Sequence, residues 1–271
     1  MKPDDAASFQ APAELYDAYV GRYGAQLAAA LIDAAGLAPG DRVLDVGCGP
    51  GPLTRAVASR VGAENVAAVD PSEPFAAACR DRAPGADVRV ARAEELPFAD
   101  DAFDAVVSQL VINFVGDPEK GVAEMLRVAR PGGTVAASVW DYADGMTLIR
   151  AFWDAAIELD PEDATPLDEG VRMAHCDEGG LARLFAAAGL EEVRGGSFIA
   201  HADYASLDDL WRPIGLGVGP TGAYTIALPE DRRTALRDAL GRQLGQGDAP
   251  FALGARAWWA AGRCPLHSAN P

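Results

Sequence analysis

Lysine is nearly absent from this chain: Lys2 and Lys120 are the only two in 271 residues, and the other cations are arginines. Basic residues number 23 against 40 acidic ones, a formal net charge of −17. Nucleic-acid affinity rests on phosphate neutralisation, so this balance excludes DNA and RNA as expected partners. Imidazoles are as scarce, with His175, His201 and His267 alone. The four cysteines, Cys48, Cys79, Cys176 and Cys264, lie far apart without a C-x-x-C pair. That spacing removes zinc knuckles and a disulfide framework, and predicts free thiols. No run of eighteen apolar residues occurs, and Met1-Lys2-Pro3-Asp4-Asp5 has no basic region followed by an apolar stretch. Neither a membrane anchor nor a secretory signal is expected, and the predicted location is cytoplasmic.

What is present is a regular alternation. Residues 13–35 carry apolar side chains at helical spacing, with Leu27 and Leu31 one turn apart, and stop at Gly36-Leu37-Ala38-Pro39-Gly40. Strand patterns follow at 42–46, 66–69, 88–91, 105–108 and 134–140, separated by helical segments that include 53–61, 75–82 and 118–129. Such alternation predicts an α/β fold, a doubly wound parallel sheet covered on both faces. Arg130-Pro131-Gly132-Gly133 reads as the turn that launches the fifth strand. Beyond Trp140 the rhythm changes. A helix near 146–158 leads into a polar, proline-bearing segment, which predicts a helical cap inserted after the fifth strand. Further expected elements are a helix at 181–188, a strand at 192–200, a helix capped by Ser206, a loop at 215–222, a helix with Leu236, Leu240 and Leu244 on one face, and a last strand at 251–259. We read one domain over 1–271, with a helical lid (1–40), a core (41–140), cap elements (141–180 and 204–225), and the last two strands with their helices (181–203 and 226–263).

The chemistry concentrates where the first strand ends, in Val43-Leu44-Asp45-Val46-Gly47-Cys48-Gly49-Pro50-Gly51. Alternate glycines clear side chains from a place where ligand presses on backbone, and the helix that follows offers unpaired N–H groups. Asp70 ends the next strand at nearly the interval of a carboxylate that accepts ribose hydroxyls. A dinucleotide fingerprint needs glycine at position 52, which is Pro52, so the turn suits a smaller nucleoside cofactor better. An aminoacyl tail on that cofactor needs a partner for its ammonium, which Asp45 and nearby carbonyls supply.

The chain here resembles the class I S-adenosylmethionine-dependent methyltransferases, in the small-molecule branch that includes the ubiquinone and menaquinone biosynthesis enzymes. The resemblance rests on residues 43–51, on Val69-Asp70-Pro71-Ser72, on Ala93-Glu94-Glu95-Leu96-Pro97-Phe98 with Phe103-Asp104, and on Glu124-Met125-Leu126-Arg127-Val128 with Arg130-Pro131-Gly132-Gly133. It covers residues 15–140 and implies a seven-stranded Rossmann-like sheet with an antiparallel last strand. It also implies S-adenosylmethionine as cofactor and S-adenosylhomocysteine as product. By position, Asp45, Gly47, Cys48, Gly49 and Gly51 would hold the methionine end, Asp70 with Pro71 the ribose, and the Ala93 backbone the adenine. Gln109 and Leu110 would lie near the reactive sulfur. One departure stands out, because Arg92 has only donors where the family places an acceptor for the adenine amino group, which leaves the Ala93 amide, Glu94 or stacking. In the family the lead-in helix closes over the cofactor, so a hydroxyl of Tyr16 or Tyr23, or Arg22, reaching its carboxylate stands beside a packing stripe as the reading of that face.

Methyl transfer to oxygen, carbon or nitrogen of a small organic acceptor needs alignment above all, and orientation alone supplies ~7–11 kcal/mol of such a barrier. A base is required only where the acceptor must lose a proton, and His175 is the first candidate. Asn113, Trp140, Asp141 and Trp211 follow strand ends or lie in the cap, which predicts an apolar or planar acceptor. Trp258 and Trp259 read as core. The acidic pairs Glu94-Glu95 and Asp100-Asp101 sit in a loop that only joins strands in the resembled family, and no metal is expected. Two alternatives stay open: a nicotinamide-dependent oxidoreductase, which Pro52 disfavours, and a non-catalytic S-adenosylmethionine-binding protein.

Overall fold

A computed structural model describes residues 13–245, 247 and 249–266. His267 lies outside them. Among the described residues, twelve α-helices and seven strands follow one another in the order α1 (Ala13–Ala18), α2 (Gly24–Ala35), β1 (Val43–Val46), α3 (Pro52–Val61), β2 (Val66–Asp70), α4 (Glu73–Arg82), β3 (Asp87–Val90), β4 (Phe103–Gln109), α5 (Pro118–Val128), β5 (Ala129–Trp140), α6 (Thr147–Leu159), α7 (Pro161–Ala164), α8 (Glu169–Arg172), α9 (Gly180–Ala187), β6 (Glu191–Tyr204), α10 (Leu207–Gly215), α11 (Gly219–Ala227), α12 (Glu230–Leu244) and β7 (Phe251–Arg263).

The strands form one sheet in the order β3-β2-β1-β4-β5-β7-β6. Neighbours from β3 to β5 pair in parallel. β7 runs antiparallel to β5: Gly132 and Gly133 exchange backbone hydrogen bonds with Cys264, while Asp141, at the other end, donates to Arg256. The sheet is therefore mixed, and its order reverses between β1 and β4, so ligand-binding loops are expected at the carboxyl ends of these two strands.

The chain divides into two compact units. The sheet unit comprises 24–139, 174–198 and 257–266. Its core sets Leu31, Ile32 and Ala35 of α2 and Val57 and Val61 of α3 against Val43, Val107 and Ala136 of the strands. Each aliphatic side chain buried there contributes roughly 1.5–3 kcal/mol. The helical unit comprises the described residues of 13–23, 140–173 and 199–256. In it α6 packs against α11 and α12. Phe152 meets Trp153 and Tyr224 edge-on at 5.2 and 6.2 Å, and the Trp153 indole donates to Glu169 at 3.0 Å.

Several expectations need correction. The lead-in is not one helix: a 3₁₀ turn at Val20–Tyr23 interrupts it. A side chain at Gly21 would stand 2.9 Å from the Tyr16 carbonyl, so this backbone tolerates only glycine there. Tyr16, Tyr19 and Tyr23 consequently do not share a continuous α-helical face. The second half of the stretch read as a lid is α2, which belongs to the sheet core. Of the segment read as a loop at 215–222, Gly215 closes α10 and residues 219–222 form the first turn of α11. The polar segment after α6 folds into the short helices α7 and α8. Arg130-Pro131-Gly132-Gly133 is part of β5, where the register slips so that Phe103 faces Ala129 but Ala105 faces Thr134. The four residues bulge opposite Asp104, whose carbonyl would lie 2.9 Å from a side chain at Gly133. Trp259 is half-buried and stacks on Phe198 with centroids 5.4 Å apart, and Trp258 is half-buried too.

Candidate functional site

The loop between β1 and α3 is built from left-handed glycines. Gly47, Gly49 and Gly51 have φ values of 76°, 51° and 95°. Each has a different reason to lack a side chain. A Cβ on Gly47 would lie 2.5 Å from both Val111 methyls, and one on Gly51 would lie 3.0 Å from the Cys79 sulfur. At Gly49 nothing stands within 4 Å. The first and third glycines let the loop pack, and the middle one leaves open space above bare backbone. Hydrogen bonds from the Gly47 and Cys48 amides to the Val69 carbonyl, at 2.8 and 2.9 Å, tie the loop to the end of β2.

Two carboxylates flank this floor. Asp45, fully buried in β1, accepts the Thr54 hydroxyl at 2.7 Å and the Thr54 amide on α3, yet its Oδ1 has no hydrogen-bond partner. Burial lifts its pKa to about 7, with the nearby Asp70 charge adding to the rise and Thr54 opposing it. Asp70, at the end of β2, accepts the Gly49 amide on Oδ2 and the Ser72 amide on Oδ1, both at 2.8 Å. Its pKa is raised by burial, against the pull of those two amides. Each Asp70 oxygen spends one lone pair on backbone and keeps another for a ligand. At the end of β4, Gln109 is buried; its amide nitrogen donates to the Gly24 carbonyl at 3.2 Å, and its Oε1 has no partner. Leu110 follows with a left-handed φ of 64° and is fixed by its amide on the Ser138 carbonyl at 2.7 Å.

These features fit the nucleoside cofactor that the resemblance implies. An orphaned buried oxygen on Asp45, a second on Gln109, a pair of oriented oxygens on Asp70 and an uncovered glycine backbone are what an ammonium, a ribose diol and a close-packed ligand require. Beyond β3, Ala93 is buried. Glu94 Oε1 accepts the Gly116 amide at 3.1 Å and faces Arg92 at 3.4 Å, while Arg92 itself is 67% exposed. Pro71 is exposed. Among the described residues no group of three His, Cys, Asp or Glu could hold a metal.

Several other candidates are engaged by neighbours within their own unit. Arg22 donates to the Ala18 and Asp203 carbonyls and to both Asp209 oxygens, and lies over the Tyr204 ring at 4.7 Å. With four of its five donors satisfied inside the helical unit, it is a clamp on α10, contrary to the expectation of a cofactor contact. Tyr23 is fully buried, paired with the Tyr204 hydroxyl at 3.2 Å and edge-on to Trp140 at 5.5 Å, so Tyr23 and Trp140 both serve packing in that unit. Tyr16 is half-buried on α1, and Trp211 half-buried on α10. Asp141 is buried against Arg256 at 2.6 Å, which makes it a tie between β5 and β7. Asn113 is half-buried in a 3₁₀ turn after β4. His175 falls in the sheet unit, not in the cap where the sequence put it. It sits with a φ of 63° in the turn before α9. Thr54 and Val111 went unread: Thr54 holds Asp45, and Val111 seats Gly47. A hydroxyl in the first turn after a glycine loop was the available signal for Thr54; Val111 had none.

Comparison with known proteins gives a consistent pattern. The profile of a methyltransferase domain matches residues 44–137. A demethylmenaquinone methyltransferase of Renibacterium salmoninarum is 38% identical over 112 residues, which are 41% of this chain and 46% of that protein. The chain thus spans less than half the length of that relative. A ubiquinone/menaquinone biosynthesis C-methyltransferase of Idiomarina loihiensis is 32% identical over 195 residues, 64% of this chain and 77% of that one. Among solved structures, the YcgJ protein of Bacillus subtilis superposes with a TM-score of 0.59 at 18% identity, covering 89% of this chain and 98% of its own, a likeness of fold.

Proposed function

The chain belongs to the S-adenosylmethionine-dependent methyltransferases, and from that membership we propose that it transfers a methyl group to oxygen, carbon or nitrogen of a small organic acceptor. The observation that carries this reading is the bare backbone at Gly49 flanked by Asp45 and Asp70. S-adenosylmethionine, when bound, supplies a methyl carbon already activated by a positively charged sulfur. Everything else is work for this chain's own residues. Asp45 Oδ1 and nearby carbonyls hold the ammonium of the aminoacyl end, and Thr54 keeps the Asp45 carboxylate turned toward the loop. Asp70, held by two amides, receives the ribose hydroxyls. Gly47 and Cys48 form the floor, and Gln109 and Leu110 line the end nearest the reactive carbon. The Ala93 amide and Glu94 take the adenine edge; Arg92, which cannot accept, keeps Glu94 in place through their ion pair.

An arrangement of this kind works by alignment and by excluding water. The reading gives His175 no essential role for acceptors that bring their own lone pair. Calorimetric titration with S-adenosylhomocysteine tests the reading. We expect saturable one-to-one binding, and a folded protein that binds neither this nucleoside nor S-adenosylmethionine overturns it. NADH serves as the control ligand, because Pro52 stands at the first helical position where a dinucleotide loop carries glycine. An apolar or planar acceptor, and a cytoplasmic setting, belong to the same proposal. No described helix is long and apolar enough to cross a membrane.

A further inference from the structure

Near the carboxyl end of β5, Ser138 is fully buried, and its hydroxyl has no hydrogen-bond partner among the described residues. A buried hydroxyl left unpaired costs stability, so it calls for a partner. Ser108 on β4 shows the ordinary case: its hydroxyl, equally buried, donates to the Val46 carbonyl at 2.8 Å. Ser138 stands opposite Gln109 in the register of β4 with β5. Residues paired in this way point to the same face of the sheet. The pair before them, Val107 and Ala136, lies in the core cluster with Leu31 and Val57, so this is the face that α2 and α3 cover. Gln109 is anchored by its amide nitrogen on the Gly24 carbonyl at 3.2 Å, and its Oε1 is the second oxygen without a partner. The Leu110 amide on the Ser138 carbonyl, at 2.7 Å, locks the two strand ends together. Two buried oxygens on adjacent strands are thus placed to receive hydrogens.

We infer that Gln109 Oε1 and Ser138 Oγ position the methyl acceptor, and that the acceptor is a primary amine. The inference rests on the function proposed above and narrows its choice of oxygen, carbon or nitrogen. Neighbouring strands lie about 4.8 Å apart, and one nitrogen with hydrogen bonds of about 2.9 Å to each oxygen spans such a gap. A neutral primary amine brings two N–H donors and keeps its lone pair for the methyl group. A hydroxyl brings one hydrogen and leaves one of the two oxygens unpaired; a carbon nucleophile leaves both, and each unpaired buried acceptor counts against binding. The net charge of −17 favours the same class, because an acidic surface concentrates cationic amines around the protein and repels carboxylates and phosphates. The amine leaves its extra proton in water as it enters the buried site. In the transfer the nitrogen lone pair forms the N–C bond while the S–C bond breaks and its electrons stay on sulfur; one N–H proton then passes to water. Gln109 and Ser138 orient the nitrogen and take no proton themselves.

The experiment titrates the full chain with S-adenosylhomocysteine, and then titrates the loaded protein with methylamine, benzylamine and tryptamine, using benzyl alcohol and acetylacetone as oxygen and carbon probes. Mass spectrometry follows methylation of the same probes with S-adenosylmethionine, and melting temperatures are read on the protein without ligand. We expect amine binding and N-methylation, with neither for the alcohol nor the diketone. Ser138→Ala should bind the best amine roughly fivefold more weakly, the scale of one lost hydrogen bond, with the affinity for S-adenosylhomocysteine unchanged. It should melt at or above the parental temperature, since it removes a hydroxyl that nothing satisfies, whereas Ser108→Ala should melt lower and bind the amine as the parent does. Should Ser138→Ala fold poorly, the hydroxyl has a structural task and the pair is overturned; Gln109→Leu, which should also weaken the amine, gives a separate reading. Loaded protein that binds none of the amines, or methylates the alcohol or the diketone in their place, overturns the acceptor class. Amine affinity unchanged in Ser138→Ala overturns the positioning pair. Failure to bind S-adenosylhomocysteine strikes the proposed function itself and this inference with it, and that titration, run first, tells the two failures apart.

Discussion

At the scale of single residues, the site depends on small choices with large effects. Gly49 is left-handed and faces open space, so a valine there adds backbone strain of about 1–2 kcal/mol and fills the space meant for ligand. Gly49→Val should abolish S-adenosylhomocysteine binding in calorimetry while circular dichroism shows the sheet retained. Asp70→Ala removes one acceptor group, and affinity should fall by ~1.5–3 kcal/mol, the value of hydrogen bonds to a charged group. Asp45 makes a prediction about pH. Burial raises it to about 7, well above the usual carboxylate value of about 4. Between those values the folded protein keeps a proton that the unfolded chain releases, so stability contributed by this group is lost as pH rises from about 4 to about 7, and is level above. Asp45→Asn has no proton to lose. Its melting temperature should therefore climb relative to the parent across that window, and the gap should be constant at higher pH; a gap that does not change with pH contradicts the assignment.

At the scale of elements, α2 shows how position in sequence and position in the fold can part company. It follows a stretch of the helical unit, yet Leu31 and Ile32 are in the core of the sheet unit. Leu31→Ala should cost ~2–5 kcal/mol in chemical denaturation, as buried leucines do, whereas a helix that merely covered a ligand would lose little. The parts of the fold readable in advance were those set by local signals. Short apolar runs marked β1, β2 and β4, the first of them ending at a glycine turn, and Ser206 marked α10, where it does accept the Asp209 amide at 3.3 Å. What went unread depends on contacts between distant residues. Gly219, Pro220 and Gly222 carry turn chemistry, but the helix α11 forms because Thr221 and Thr225 are fully buried and the chain packs on α10 and α6. The site divides the same way: Asp45, Gly49 and Asp70 were legible from spacing, while Arg22 looked free because its partner Asp209 lies 187 residues away.

At the scale of the whole molecule, the charge of −17 is carried by a chain with few cations to offset it. Many arginines sit in ion pairs, such as Arg127 with Glu124 and Asp100, and these hold individual loops without cancelling the general repulsion. Raising sodium chloride from about 20 to about 300 mM shortens the screening length from roughly 20 to 6 Å, so the melting temperature should rise with salt. A fall would show that local pairs outweigh the net field. The sheet order has a consequence for biosynthesis. β6 precedes β7 in the chain but finds its place in the sheet only through it. On the ribosome, then, a finished β5 presents an unguarded margin, and β6 drifts without a neighbour until the last strand has been translated and slides in between them. The interval during which this protein is most open to chaperones, or to sticking to its own kind, is set by the time needed to synthesise the stretch from Tyr204 to Arg263.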